Sequence, residues 1–228
     1  MHVVVNAAQS VDGKLATRRR EQLRISGPED FDRVDRVRAA ADAVLVGVGT
    51  VLADDPHLTL DEEDRRVQRL RNGRPGHPAR VVVDSEGRTP TDARILDDAA
   101  TTYLLVSAAA TEGRREALTA AGAEVIVAGE ERVDLAAGLD ELADRGVDRL
   151  MVEGGGEVIY SCFAAGIVDE LHVYVGSMVI GGRDAPTLAD GEGFTGGFPD
   201  LTLTDAERFD DGIVLSYEVG GDGGSGAA

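Results

Sequence analysis

Short runs of consecutive apolar residues recur along this chain, each closed by a polar or glycine-containing turn. Between most of them the apolar positions fall at helical spacing. A continuous apolar run rich in β-branched residues predicts a strand buried on both faces, as in a parallel sheet. Runs of this kind predict strands at residues 2–7, 43–48, 80–84, 102–106, 124–127, 149–152 and 170–175. Helices predicted at 113–121, 135–145 and 157–165 alternate with them. An earlier helix starts at Ser26-Gly27-Pro28-Glu29, with Ser26 as N-cap, proline in the first turn and a glutamate closing the box. Its apolar stripe is Phe31, Val34, Val37 and Ala41. Gly47-Val48-Gly49-Thr50 predicts a turn into a short helical piece ending near Asp54-Asp55-Pro56, whereas the charged, Gly- and Pro-rich residues 61–78 predict an exposed excursion. Residues 201–209 and 213–219 flank Asp210-Asp211-Gly212 and predict an antiparallel hairpin. The small residues 220–228 have nothing to bury and predict a flexible tail. The expected fold class is therefore α/β: a mostly parallel central sheet with helices on both faces and a C-terminal antiparallel hairpin, in one domain over 1–219.

Composition narrows the setting. No apolar run approaches the roughly 20 residues of a membrane helix, and the N-terminus has the features of no signal peptide. A cytoplasmic protein is expected. The one cysteine, Cys162, excludes an internal disulfide framework and a cysteine-based zinc site; it reads as a small core residue. Acidic residues number 42 against 23 basic ones, a net charge of −19, and only Lys14 among the basic residues is a lysine. Such a surface repels nucleic acid and anionic membranes. The acids are spread along the whole length, which favours adaptation to a high-salt cytoplasm over an acidic docking tail. The fold should then loosen without salt. An unchanged melting temperature between molar and millimolar KCl would remove that explanation.

Candidate chemistry centres on the stretch from Leu150 to Ser161. An apolar run breaks at Glu153 into Gly154-Gly155-Gly156, and helix-compatible residues follow. Strand, glycine turn and helix start make an anion site of the kind that takes a pyrophosphate; a plain connector is the alternative. Glu153 stands at the carboxyl end of its strand, where open α/β sheets bind ligands. The same rim collects Ser10-Val11-Asp12-Gly13-Lys14, Thr50 and Val83-Asp84-Ser85. Lys14 reads as a surface charge. Thr50 is either a cap or a phosphate contact, and Asp54-Asp55-Pro56 a general acid, a ribose-hydroxyl acceptor or, by default, a helix terminator. Ser85 with Arg88 is the pairing a ribose 2′-phosphate requires, or else an ordinary turn.

Five ordered motifs carry a family resemblance: Asn6 with residues 10–14, residues 49–59, Val83-Asp84-Ser85, residues 152–156, and residues 166–171. Together they resemble the pyrimidine reductases of the riboflavin pathway over roughly residues 3–190. The zinc-deaminase motifs that bacterial members carry in a fused domain are missing, so the chain looks like the stand-alone archaeal and fungal type. The resemblance implies a dihydrofolate-reductase-like fold, a homodimer and NADPH as cofactor. It implies as reaction the reduction of 2,5-diamino-6-ribosylamino-4(3H)-pyrimidinone 5′-phosphate to the ribitylamino compound, with hydride delivered to C1′ of the ring-opened imine. Residue by residue, Ala8, Thr50, Asp54, Leu58 and Ser85 match family cofactor contacts, and Gly155, Gly156, Glu157, Val158 and Ile159 the pyrophosphate-binding turn. Gln22, Arg38 and Glu153 match substrate contacts. Glu153 or Asp54, as catalytic groups, would stabilise the cationic imine. Many members carry a basic residue near position 61 that helps to hold the substrate phosphate. Asp61 stands here, which passes that contact to Arg38 or to Arg65 and Arg66. Two alternatives stay open: a dihydrofolate or other pterin reductase on the same fold, disfavoured by the absence of tryptophan, and a non-catalytic nucleotide-binding protein.

Overall fold

In the computed structural model, which describes residues 1–21 and 23–220, the apolar runs become strands of one nine-stranded sheet. In chain order these are β1 (His2–Ser10), β2 (Ala43–Gly47), β3 (Ala79–Val83), β4 (Thr102–Val106), β5 (Ala123–Val127), β6 (Arg149–Gly154), β7 (Glu170–Gly176), β8 (Leu201–Phe209) and β9 (Gly212–Val219). Across the sheet the order is β5-β4-β3-β2-β6-β1-β7-β9-β8. Every pairing from β5 to β7 is parallel. Those of β7 with β9 and β9 with β8 are antiparallel, the latter as the turn at Asp210-Asp211-Gly212 requires.

Alternation along the strands divides the core. Val3, Val5, Leu45, Leu105, Leu150 and Val152 point to one face, where helices α5 (Leu135–Asp144) and α6 (Gly156–Ala164) cover them with Leu139, Leu142, Ile159 and Cys162. Val44, Val46, Val82, Leu104 and Met151 point to the other. There α1 (Pro28–Ala40), α2 (Val48–Asp54) and α4 (Glu112–Ala120) supply Val34, Val37, Val51 and Leu118. Each fully buried aliphatic side chain contributes about 1.5–3 kcal/mol, so the two faces together hold the sheet between its helix layers. Cys162 is a buried thiol whose pKa burial pushes up to about 12, which suits a packing role.

Three sequence expectations need correction. Residues 61–78 are not simply an exposed excursion, because they contain a helix, α3 (Glu63–Arg71). Its anchor is polar: buried Arg69 donates to the carbonyls of Pro75, Ala39 and Ala41 at 2.7–2.9 Å, and Arg74 donates to Ala41 at 2.7 Å. These cations satisfy the orphan carbonyls at the end of α1. Burial lowers the pKa of Arg69 to about 10. The second correction concerns the start of α1. Gly27, not Ser26, is its N-cap and supplies no side-chain bond. The Asp210 carboxylate accepts instead from the amides of Glu29 (3.2 Å) and Asp30 (3.1 Å), and Glu29 accepts from the Asp210 amide at 2.7 Å. The capping box is thus closed by the C-terminal hairpin. Third, the stripe of α1 is only partly apolar in effect, since Phe31 is exposed while Asp30 and Asp35 are buried.

Candidate active site

The parallel strands end on one rim, and the crevice between the neighbouring strands β2 and β6 carries the candidate chemistry. Each strand leads through glycine into a helix: Gly47 into α2, Gly155 into α6. Gly154 (φ 158°) and Gly155 (φ 76°) adopt conformations that favour glycine. A Cβ on Gly155 would stand 3.7 Å from the Thr50 hydroxyl, so Thr50 faces the glycine turn across the crevice. The amides of Val158 and Ile159 both donate to the Gly155 carbonyl at 3.0 Å. Among the described residues this leaves the Gly156 and Glu157 amides without an acceptor at the start of α6, the arrangement that receives an anion.

Glu153 and Arg38 meet at the same place. The Arg38 guanidinium engages both carboxylate oxygens, Nε to Oε1 and Nη2 to Oε2 (2.6 Å), while Nη1 donates to the Thr59 carbonyl at 3.3 Å. Both side chains are largely buried, 19% and 11% exposed. Burial disfavours the Arg38 charge, but Glu153 more than offsets this and raises its pKa. Asp54, at the end of α2, is half-buried, and desolvation raises its pKa. Its carboxyl has no hydrogen-bond partner among the described residues.

The other expected site residues divide by what they can present. Ala8 lies on β1 opposite Tyr174 of β7 and packs beside Ile25 and Val214. Leu58 (φ 52°), Val158 and Ile159 are buried in the core, so only their backbones can reach a ligand. Glu157 is exposed in the first turn of α6. Ser85 accepts from the Val133 amide at 3.1 Å, while Arg88 stands 4.0 Å from the buried Asp84. The Ser85–Arg88 pairing read as a 2′-phosphate site is therefore not assembled. Gln22 lies outside the described residues. Arg65 is held by Asp32 and Asp35 and Arg66 by Glu63, so neither guanidinium stands ready for a phosphate.

The sequence reading missed a strap, residues 177–190, that runs from β7 to the glycine turn. Asp12 anchors one end, accepting from the amides of Ile180 (3.0 Å) and Gly181 (2.7 Å). The Ser10 hydroxyl first, then these amides, hold the pKa of Asp12 down to about 2. Lys14 is not a free surface charge: it is half-buried, its ammonium donates to the Ala185 carbonyl at 3.3 Å, and its backbone forms an isolated antiparallel β-bridge with Thr187. At the far end the Asp190 amide donates to the Gly156 carbonyl at 3.1 Å, and the Asp190 carboxylate accepts from the Thr187 amide and hydroxyl. A Cβ on Gly156 would sit 2.4 Å from the Thr187 carbonyl oxygen. This glycine is needed for the strap, whereas Gly155 leaves room in the crevice. Asp12-Gly13 and the Thr187-to-Asp190 spacing were the only sequence signals of the strap.

A family model described as the RibD C-terminal domain matches residues 1–215. A 2,5-diamino-6-ribosylamino-4(3H)-pyrimidinone 5′-phosphate reductase from Archaeoglobus fulgidus is 51% identical over 216 residues, covering 94% of this chain and 96% of that protein. A protein of the same name from Methanothermobacter thermautotrophicus is 44% identical over 222 residues, covering 97% and 94%. Among solved structures, a pyrimidine reductase-like protein from Corynebacterium diphtheriae superposes with a TM-score of 0.85 at 22% identity, over 97% of this chain and 92% of that one. That likeness is one of fold, and it agrees with the dihydrofolate-reductase-like architecture expected from the sequence.

Proposed function

This chain belongs to the RibD C-terminal domain family, and on that premise we propose that it is a stand-alone, NADPH-dependent reductase of riboflavin biosynthesis. Its substrate in this reading is 2,5-diamino-6-ribosylamino-4(3H)-pyrimidinone 5′-phosphate. The observation that supports the proposal is the crevice between β2 and β6, where Thr50 faces the glycine turn, the first amides of α6 lack acceptors among the described residues, and Glu153 at the end of β6 pairs with Arg38. The residues fit a dinucleotide: two amides at the start of α6 suit its pyrophosphate, and the side-chain-free turn at Gly154 and Gly155 lets it approach.

A reduced nicotinamide supplies hydride when bound. The chain's own part is alignment and electrostatics. Gly156 and Glu157 would hold the pyrophosphate through their amides and Thr50 through its hydroxyl, with Ala8, Leu58 and Ser85 along the same rim. Arg38 and Glu153 act as a unit: the guanidinium cancels much of the carboxylate charge and fixes its orientation, and the pair presents polar groups to the substrate with Gln22. Asp54 has no such partner. It is therefore the freer carboxyl to face positive charge at C1′. Asp54→Asn is expected to lower kcat by about tenfold, roughly 1.4 kcal/mol of barrier. A kcat equal to wild type would remove that role.

No helix among the described residues is long and apolar enough to cross a membrane; a cytoplasmic place belongs to the reading as a biosynthetic reductase, and the acidic surface argues against nucleic acid as partner. A homodimer belongs to the same reading, with the bare edge strand β8 and its exposed Leu201 and Leu203 as the candidate contact. Oxidation of NADPH by the purified protein in concentrated KCl tests the activity. Turnover of the diaminopyrimidine phosphate supports it. Activity confined to dihydrofolate would move the chain to the pterin reductases, and tight NADPH binding without turnover would make it a binding protein.

A further inference from the structure

The segment 55–60, which follows α2, has neither helix nor strand to fix it. It carries two non-glycine residues in the left-handed region, Asp55 (φ 42°) and Leu58 (φ 52°), a conformation that persists only where neighbours over-determine it. Those neighbours come from distant parts of the chain. Asp55 accepts from the Arg94 amide at 2.8 Å, His57 stands between Asp97 (3.1 Å) and Arg94 (2.9 Å), and the Leu60 amide donates to His77 Nδ1 at 3.1 Å. The last of these contacts reaches the crevice through a single peptide group. The Thr59 carbonyl and the Leu60 amide belong to one planar unit. Arg38 Nη1 donates to the carbonyl at 3.3 Å while the rest of its guanidinium engages Glu153, and His77 accepts from the amide. A rigid plane is thus gripped at both ends, by a histidine on one side and by the Arg38–Glu153 pair on the other.

His77 is itself fixed. It lies half-buried between α3 and β3, Pro78 after it restricts its backbone to extended conformations, and Arg69 holds the same loop through the Pro75 carbonyl at 2.9 Å. We propose that His77 is a positioning residue for the reaction, orienting the Thr59–Leu60 peptide and through it the Arg38–Glu153 pair. This inference rests on the reading that the pair meets the substrate. A backbone amide can only donate, so Nδ1 is the bare ring nitrogen and the proton of the neutral imidazole sits on Nε2. A proton added at Nδ1 would set one donor against another and release the peptide. Burial first, then Arg66 and Arg69 of α3 and Arg80 of β3, lower the pKa of His77, with Glu63 opposing. The contact is therefore complete above the ordinary histidine value, about 6.5, and is lost as pH falls below it.

Steady-state kinetics in concentrated KCl, from about pH 8 down to about pH 5, test this with wild type and two variants. In wild type, KM for the diaminopyrimidine phosphate should rise about tenfold towards acid, beyond any change in kcat. His77→Asn keeps an acceptor oxygen near the place of Nδ1 but does not titrate. It should match wild type at the alkaline end and lose most of the acid rise. His77→Leu removes the acceptor and should show the raised KM at every pH. Asp54 and the substrate phosphate titrate with all three proteins, so the difference between profiles isolates His77. An acid rise in His77→Asn equal to that of wild type, or a wild-type KM in His77→Leu, overturns the proposal. NMR reads the contact without turnover: the Leu60 amide resonance should follow the titration of His77 in wild type and stay fixed in His77→Asn. A Leu60 amide indifferent to that titration also overturns the proposal. If the amide follows His77 but the diaminopyrimidine is not turned over, the reductase reading falls and takes the positioning role with it, while the contact stands.

Discussion

Arg38→Ala should destabilise the protein by about 3 kcal/mol, the usual size for breaking a buried ion pair by removing one partner, and should abolish turnover. The cause is the carboxylate left behind. Glu153 is only 11% exposed, and its two oxygens lose the guanidinium that faces them. A second variant separates charge from volume. Arg38→Met/Glu153→Gln leaves no unpaired charge and should recover at least half of the lost stability, yet remain inactive if, as proposed, the charged pair is what contacts the substrate. Urea unfolding in molar KCl reads the first quantity and NADPH oxidation the second. If Arg38→Ala unfolds within 0.5 kcal/mol of wild type, an error of about the size expected for an unconstrained surface site, the pair does not hold the crevice together.

Gly156→Ala should weaken NADPH binding by tenfold or more, about 1.4 kcal/mol. The added methyl meets the Thr187 carbonyl oxygen at 2.4 Å and the Asp190 carboxylate at 2.8 Å, and neither is the loose end of a flexible side chain. Either the strap lifts or the first turn of α6 shifts, and the second moves the amides proposed to receive the pyrophosphate. Gly146→Ala is the control. Gly146, unlike Gly156, has positive φ (85°), and a Cβ there meets nothing within 4 Å, so backbone strain alone should lower its melting temperature and leave cofactor affinity intact. Equal NADPH affinity in Gly156→Ala and wild type would detach the strap from cofactor binding.

The sheet was legible in the sequence because fully buried parallel strands are written as unbroken apolar runs; Val44 to Val46 and Leu150 to Val152 need no tertiary information to be recognised. Its rim was legible for a related reason: the order strand, glycine, helix places Thr50, Glu153 and Gly155 at one end of the sheet by topology alone. What escaped were features fixed by polar contacts between distant positions. Helix α3 carries too many charges to show an apolar stripe, and its docking depends on Arg69 reaching the carbonyls that end α1. The cap of α1 lies 181 residues away at Asp210, beyond any local motif. The Arg38–Glu153 pair spans 115 residues, so sequence suggested each residue for the site but not that one neutralises the other. Ser85 and Arg88, adjacent enough to suggest a joint role, instead turn to separate partners.

The bond between Asp210 and the first turn of α1 also bears on how the protein is made. During synthesis the segment bearing Arg38 leaves the ribosome first, while the carboxylate that completes its helix lies 181 residues beyond Glu29 and emerges much later. Contacts of such long separation form late. The nascent chain should therefore gain α1 in finished form only once Asp210 has emerged, and truncation just before the β8–β9 hairpin would leave that helix frayed at its beginning.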